Sequence, residues 1–147
     1  MNLFAILLLM QAPVIQQGGR QFRDLNRNGV LDPYEDSRLT PEQRARDLVG
    51  RMTLEEKAGT MMHGTVRSTG PQGGVGMGVA YDTAANRRLI DSAHVTNLIT
   101  RLSADPATIA TQNNLLQRIA ESTRLGIPLT ISTDPRNHFQ SVVGATV

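Results

Sequence analysis

Residues 105–134 constrain the fold of this chain more than any other stretch. Asp105-Pro106 opens a helix with an acidic cap and a proline in the first turn, and Ile109, Leu115, Leu116, Ile119 and Ala120 fall on one face of it. Gly126 stands where a glycine ends a helix. Ile127-Pro128-Leu129-Thr130-Ile131-Ser132 then reads as a strand, its proline near the start, where a missing N–H is tolerated, and Asp134 follows at its end. A long amphipathic helix handing over through glycine to a short apolar strand is the grammar of an α/β protein.

The residues upstream carry clear helix starts. Thr40-Pro41-Glu42-Gln43 combines an N-cap threonine, a proline at the first helical position and a glutamine at the capping-box position. The helix it predicts runs to about Met52, with Leu48, Val49 and Met52 on one face. Thr53-Leu54-Glu55-Glu56 repeats the signal and predicts a second short helix to about Met62, in which the two glutamates serve capping and the helix dipole. His63 to Ala80 is glycine-rich and has no sustained periodicity, which reads as a long loop of the kind that often carries function. Asp82 or Thr83 caps a short helix over Ala84–Ala93, and Val95–Leu102 alternates imperfectly as a strand. There is no internal repeat.

With 147 residues the chain has the length of one ordinary domain, and 39% hydrophobic residues is compatible with a core. Aromatic residues at 3% are scarce for a self-sufficient one, and the many glycines and prolines mean much loop, so the composition reads as part of a larger globular protein. The absence of cysteine excludes a disulfide scaffold and every thiolate metal site. A pI near 9.7 suggests nucleic acid, yet the net charge is only +2, basic residues never exceed two in a row, and no tryptophan offers a stacking platform. Nucleic acid is therefore not an expected partner. Leu3–Met10 is an apolar run far short of the roughly 20 residues of a membrane-spanning helix. It matches the apolar region of a secretory signal peptide with Ala12 near a cleavage site, although Met1-Asn2 supplies no positive charge; the alternative is a short apolar helix or strand that stays in the mature protein. Residues 1–19 are accordingly read as a signal remnant and linker, and the protein as periplasmic or secreted.

Asp24 to Glu35 fits the twelve-residue calcium-loop pattern at every diagnostic position. Asp24, Asn26 and Asn28 supply oxygens at the first, third and fifth positions, Gly29 permits the sharp turn, Val30 offers its carbonyl, Asp32 acts directly or through water, and Glu35 closes the site. A hard cation needs this density of hard oxygens, so a structural Ca2+ is the reading for residues 20–38. Pro33 and the nearby Gly18-Gly19 leave little room for flanking helices, and the alternative is an Asn-Asp-Gly turn held by side-chain-to-backbone bonds.

Taken together, Asp24–Asp36, Leu39-Thr40-Pro41-Glu42-Gln43-Arg44-Ala45-Arg46-Asp47-Leu48-Val49, Met52-Thr53-Leu54-Glu55-Glu56-Lys57, Asn113-Asn114-Leu115-Leu116-Gln117 and Arg124–Asp134 resemble the N-terminal part of family 3 glycoside hydrolases, the β-glucosidase and β-xylosidase group. The resemblance covers about residues 24–147. It implies that residues 39–147 are an incomplete N-terminal portion of a (β/α)8 TIM-type barrel, in an enzyme that hydrolyses terminal β-linked sugars of glucosides and oligosaccharides with retention and without a catalytic cofactor. The family's aspartate after the Gly-Ile-Pro strand binds hydroxyls of the terminal sugar, and here it falls on Asp134; barrel sites lie at that end of strands. Many members continue Asp-x-x-His-Gly, whereas this chain has Asp134-Pro135-Arg136-Asn137-His138-Phe139. A complete barrel takes typically ~250 residues, and retaining hydrolysis needs a nucleophile and an acid/base carboxyl, both expected beyond Val147. The 147 residues alone are therefore expected to be inactive, lacking the remainder of the enzyme.

Other patterns have plainer readings. Gly74-Val75-Gly76-Met77-Gly78 lacks the strand and capped helix of a dinucleotide site and reads as a flexible loop. His63, His94 and His138 have no metal-ligand spacing, and Ser132 is in no nucleophile elbow. A reading from another class also stands: a small calcium-stabilised, non-catalytic binding module.

Overall fold

The computed structural model describes residues 11–71 and 78–133. They form a mixed α/β structure with two small sheets. The first is a hairpin, β1 (Val14–Gln17) and β2 (Arg20–Arg23), closed by Gly18 and Gly19 at φ of 60° and 73°. Two positive φ values in a two-residue loop are what a twisted hairpin needs, and glycine adopts them freely. The end of the segment expected to be signal remnant and linker, residues 14–19, is thus one strand and the turn of a hairpin, whose strands of four residues are too short to show a pattern in sequence.

Both capping boxes form as read. Thr40 accepts the Gln43 N–H at the start of α1 (Pro41–Arg51), and Thr53 accepts the Glu56 N–H at the start of α2 (Leu54–Thr60). Asp82 caps α3 (Thr83–Arg87), which widens into a π-helical turn over Arg88–Ser92, so the helix expected over 84–93 is two kinds of helix in series. Asp105 caps α4 (Pro106–Glu121).

The second sheet is parallel, with strands β3 (His63–Thr65), β4 (Asn97–Thr100) and β5 (Thr130–Thr133) side by side in chain order. The strand expected over 127–132 starts later, at Thr130, and the one expected over 95–102 is shorter at both ends. β3 corrects the reading of 63–80 as loop throughout. A three-residue His-Gly-Thr strand shows no alternation, and it exists because β4 offers a partner, His63 opposite Asn97 and Thr65 opposite Ile99.

The crossover helices α3 and α4 touch each other, so both lie on one side of the sheet. On that side the core gathers Val66, Ile90, Leu98, Leu102, Leu116 and Ile119, with Ile131 packed against it. Leu98, Leu102, Leu116, Ile119 and Val66 are completely enclosed. Pairing runs His63–Asn97–Thr130 and Thr65–Ile99–Ser132 across the opposite face, where no residue is fully buried.

Candidate functional site

The carboxyl ends of β3, β4 and β5 lie together because the strands are parallel and in register. After β3 the chain runs through Val66, Arg67 and Ser68, and after β4 through Arg101 and Leu102. Asn86, completely buried, fixes the first of these turns by accepting the Arg67 N–H at 2.8 Å and donating to the Arg67 carbonyl at 2.6 Å. The buried Tyr81 hydroxyl fixes the second, at 2.8 Å from both Thr100 Oγ1 and Asn113 Oδ1. Burial raises the Tyr81 phenol above its usual value, so it stays a neutral hydrogen-bonding group. After β5 the described residues stop at Thr133. Asp134, the sequence candidate for sugar binding, lies outside them, as do His138 and residues 72–77 of the glycine-rich stretch.

On the open face of the sheet His63 Nε2 and Ser132 Oγ are 3.0 Å apart, linking the two outer strands across β4. Reading His63 and Ser132 singly misses this, since nothing within 69 residues of separation relates them until β3 is recognised as a strand. Arg67 and Arg101 were passed over for the same reason: their place at strand ends is visible only once the sheet is known.

The Asp24–Glu35 loop sits at the other, amino end of the sheet. Tyr34 is buried and donates its hydroxyl to the Leu125 carbonyl at 3.3 Å, just beyond α4. Burial pushes its phenol far above the ordinary tyrosine value, and the neighbouring Glu35 carboxylate adds to the effect. Gly126, at φ 56°, lies so close to Leu25 that a Cβ would stand 2.9 Å from the Leu25 carbonyl oxygen. Arg27 donates to the Glu121 carbonyl at the end of α4 at 3.1 Å, and Arg23 pairs with the Glu121 side chain.

The polar side chains named for the calcium pattern are tied up within the loop itself, on its backbone or on Asp32. Asp24 accepts the Asn28 and Gly29 N–H groups at 3.0 and 2.8 Å. Asn26 and Asn28 both donate their side-chain amides to Asp32 Oδ2, at 2.6 and 2.7 Å. Glu35 accepts from the backbone of Leu25 at 2.7 Å and of Asp32 at 3.0 Å. Val30 is exposed and donates its N–H to Asn28 Oδ1 at 2.7 Å. Among the described residues no group of three or more His, Cys, Asp or Glu is disposed to hold a metal ion.

Beside that loop, at the start of α2, Glu56 does more than cap its helix. It is buried and accepts the Thr53 N–H at 2.9 Å, while Arg124 clasps its carboxylate with two nitrogens, one at 3.0 Å, and reaches the Arg51 carbonyl at 3.0 Å with the same end. Burial works against the charged carboxylate, but the Arg124 and Thr53 bonds outweigh it and hold Glu56 below its ordinary value.

Comparison with known proteins decides the kinship. The chain is 55% identical over 144 residues to a periplasmic beta-glucosidase/beta-xylosidase of Dickeya chrysanthemi, covering 97% of this chain and 22% of that protein. The chain is an N-terminal glycoside hydrolase segment of the β-glucosidase group. It is also 42% identical over 125 residues to beta-glucosidase C of Emericella nidulans, covering 82% of this chain and 19% of the relative. For the probable beta-glucosidase C of Aspergillus oryzae the identity is 40% over 123 residues, 80% of this chain and 18% of the relative. The glycoside hydrolase segment thus spans about a fifth of the length of the curated relatives it matches. No family model matches the chain. No helix among its described residues is long and apolar enough to cross a membrane.

Proposed function

We propose that these residues form one sector of a (β/α)8 barrel in an exported β-glycosidase that removes terminal β-linked sugars from glucosides and oligosaccharides. The observation that carries the reading is the sheet whose crossover helices, among the described residues, lie on one side. Strands that add in chain order with every crossover helix on the same side curl around their bare face, as barrel strands do. A doubly wound sheet would reverse strand order and place helices on both faces. The bare face here is lined by short, mainly polar side chains, His63, Thr65, Asn97, Thr130 and Ser132, with Ile99 among them. The relatives' names supply the reaction class, and the periplasmic relative supports export.

Asp134, the next residue in sequence after β5, receives hydroxyls of the non-reducing sugar, as the resemblance to family 3 glycoside hydrolases implies. With the nucleophile and the acid/base carboxyl expected in the remainder of the enzyme, the 147 residues alone bind at most one edge of the substrate. Asp134→Ala in the protein made from the whole coding frame should lower kcat/KM for an aryl β-glucoside by about ten- to hundred-fold, the value of a charged hydrogen bond of about 1.5–3 kcal/mol. An unchanged kcat/KM would remove Asp134 from the substrate site.

A further inference from the structure

We infer that the Asp24–Glu35 loop, despite its complete calcium-loop pattern, folds as a metal-independent brace in which the Arg51 guanidinium and the Asn26 and Asn28 amides occupy Asp32 where a cation would be needed. The inference does not rest on the glycosidase reading. A calcium loop requires oxygens turned inward at its first, third, fifth, ninth and twelfth positions. In this loop the third and fifth positions turn nitrogen inward. Asn26 Nδ2 and Asn28 Nδ2 both point at Asp32 Oδ2, at 2.6 and 2.7 Å. Their amide oxygens are turned to the backbone: Asn26 Oδ1 accepts the Asn28 N–H at 3.1 Å and Asn28 Oδ1 accepts the Val30 N–H at 2.7 Å. Because both ends of each amide have partners of the matching type, the orientation is fixed by the network.

The remaining oxygen of the ninth-position carboxylate is taken by a charge. Arg51, in the last turn of α1, stands 2.8 Å from Asp32 Oδ1 and binds Asp47 in the same stroke, at 2.7 Å. Its guanidinium also lies 5.7 Å from the centre of the Tyr34 ring. A divalent ion beside Asp32 would meet this fixed positive charge at contact distance and would have to displace it. By contrast, the backbone N–H bonds of Asp24 and Glu35 leave their oxygens further lone pairs, so those residues alone would not exclude an ion. What excludes it is the pair of inward amides together with Arg51.

The consequence is architectural. The loop joins α1 through Arg51, the end of α4 through Arg27, and the turn before β5 through Tyr34 and Leu25. It needs no ion to do so.

The test uses the protein made from the whole coding frame, melted with calcium at about 1 mM, the upper end of extracellular affinities, and again with excess EGTA. The same Tm in both, no calcium retained on equilibrium dialysis, and a lower Tm for Arg51→Met in both solutions are the expected results. A calcium-dependent rise in Tm that Asp24→Asn abolishes would overturn the inference, and so would an Arg51→Met protein as stable as the parent. A rise that survives Asp24→Asn comes from another part of the protein and leaves the loop metal-independent. Should Asp24→Asn fail to fold, Glu35→Gln takes its place in dialysis: stoichiometric calcium on the parent that Glu35→Gln abolishes counts against the brace, while none, or calcium that Glu35→Gln leaves in place, counts for it.

Discussion

Glu56 shows what a single residue contributes beyond its sequence signature. Its position three after Thr53 announces a capping box, and the box forms. The Arg124 clasp, 68 residues away, could not be read from the chain, because it depends on α4 ending beside the start of α2. Glu56→Gln keeps the cap acceptor and loses the ion pair. It should cost about 1–2 kcal/mol at neutral pH, below the value for a fully buried pair since the Arg124 side chain is half exposed. Because the folded carboxyl is held below its unfolded value of about 4.5, this stabilisation is complete above that pH and is lost as pH falls through the folded value. Chemical denaturation of parent and variant should therefore differ at pH 7 and converge as pH falls through the folded value; a gap that persists in strong acid would mean that charge is not its source. Asp36 behaves in the same sense further down, its carboxyl held at about 2 mainly by its hydrogen bonds to Arg38.

At the scale of elements, two glycines with the same helical surroundings in sequence have opposite roles. Gly59 in α2 lies against the loop before β4, where a Cβ would stand 2.6 Å from the Ala93 carbonyl oxygen and closer still to that of His94. Gly50 in α1 has nothing within 4 Å. Gly59→Ala should destabilise by about 1–3 kcal/mol or more, as rigid backbone cannot give way, while Gly50→Ala should stabilise by about 0.5–1 kcal/mol. Thermal melts of the two variants check the pair, and a neutral Gly59→Ala would mean that α2 packs elsewhere. Legibility follows the same division. The starts of α1, α2 and α4 were readable because capping is local chemistry between residues three apart. β1, β2 and β3 were not, because strands of three and four residues are defined by their partners. Of the candidate site, the pattern over Asp24, Asn26, Asn28, Asp32 and Glu35 marks residues of one turn, but which end of each amide faces inward is set by neighbours such as Arg51 in α1.

The whole molecule has a finished side and an unfinished one. Leu98, Leu116 and Ile119 are sealed beneath the helices, whereas α1 buries no residue and Val49, Leu54, Met61 and Met62 stand exposed in the stretch leading to β3. Among the described residues β3 and β5 each also have one unpaired edge. Such edges and apolar residues invite association. The 147 residues produced alone should bind a hydrophobic dye, melt broadly and self-associate; a sharp two-state transition of a dye-silent monomer would show a self-sufficient domain. The central claim, that this sector works only as part of a larger β-glycosidase, is tested most directly by one assay. Hydrolysis of an aryl β-glucoside is measured for the product of the whole coding frame and for residues 1–147 alone. The account predicts turnover by the first and none by the second; turnover by the isolated 147 residues, or an inert whole product, would contradict it.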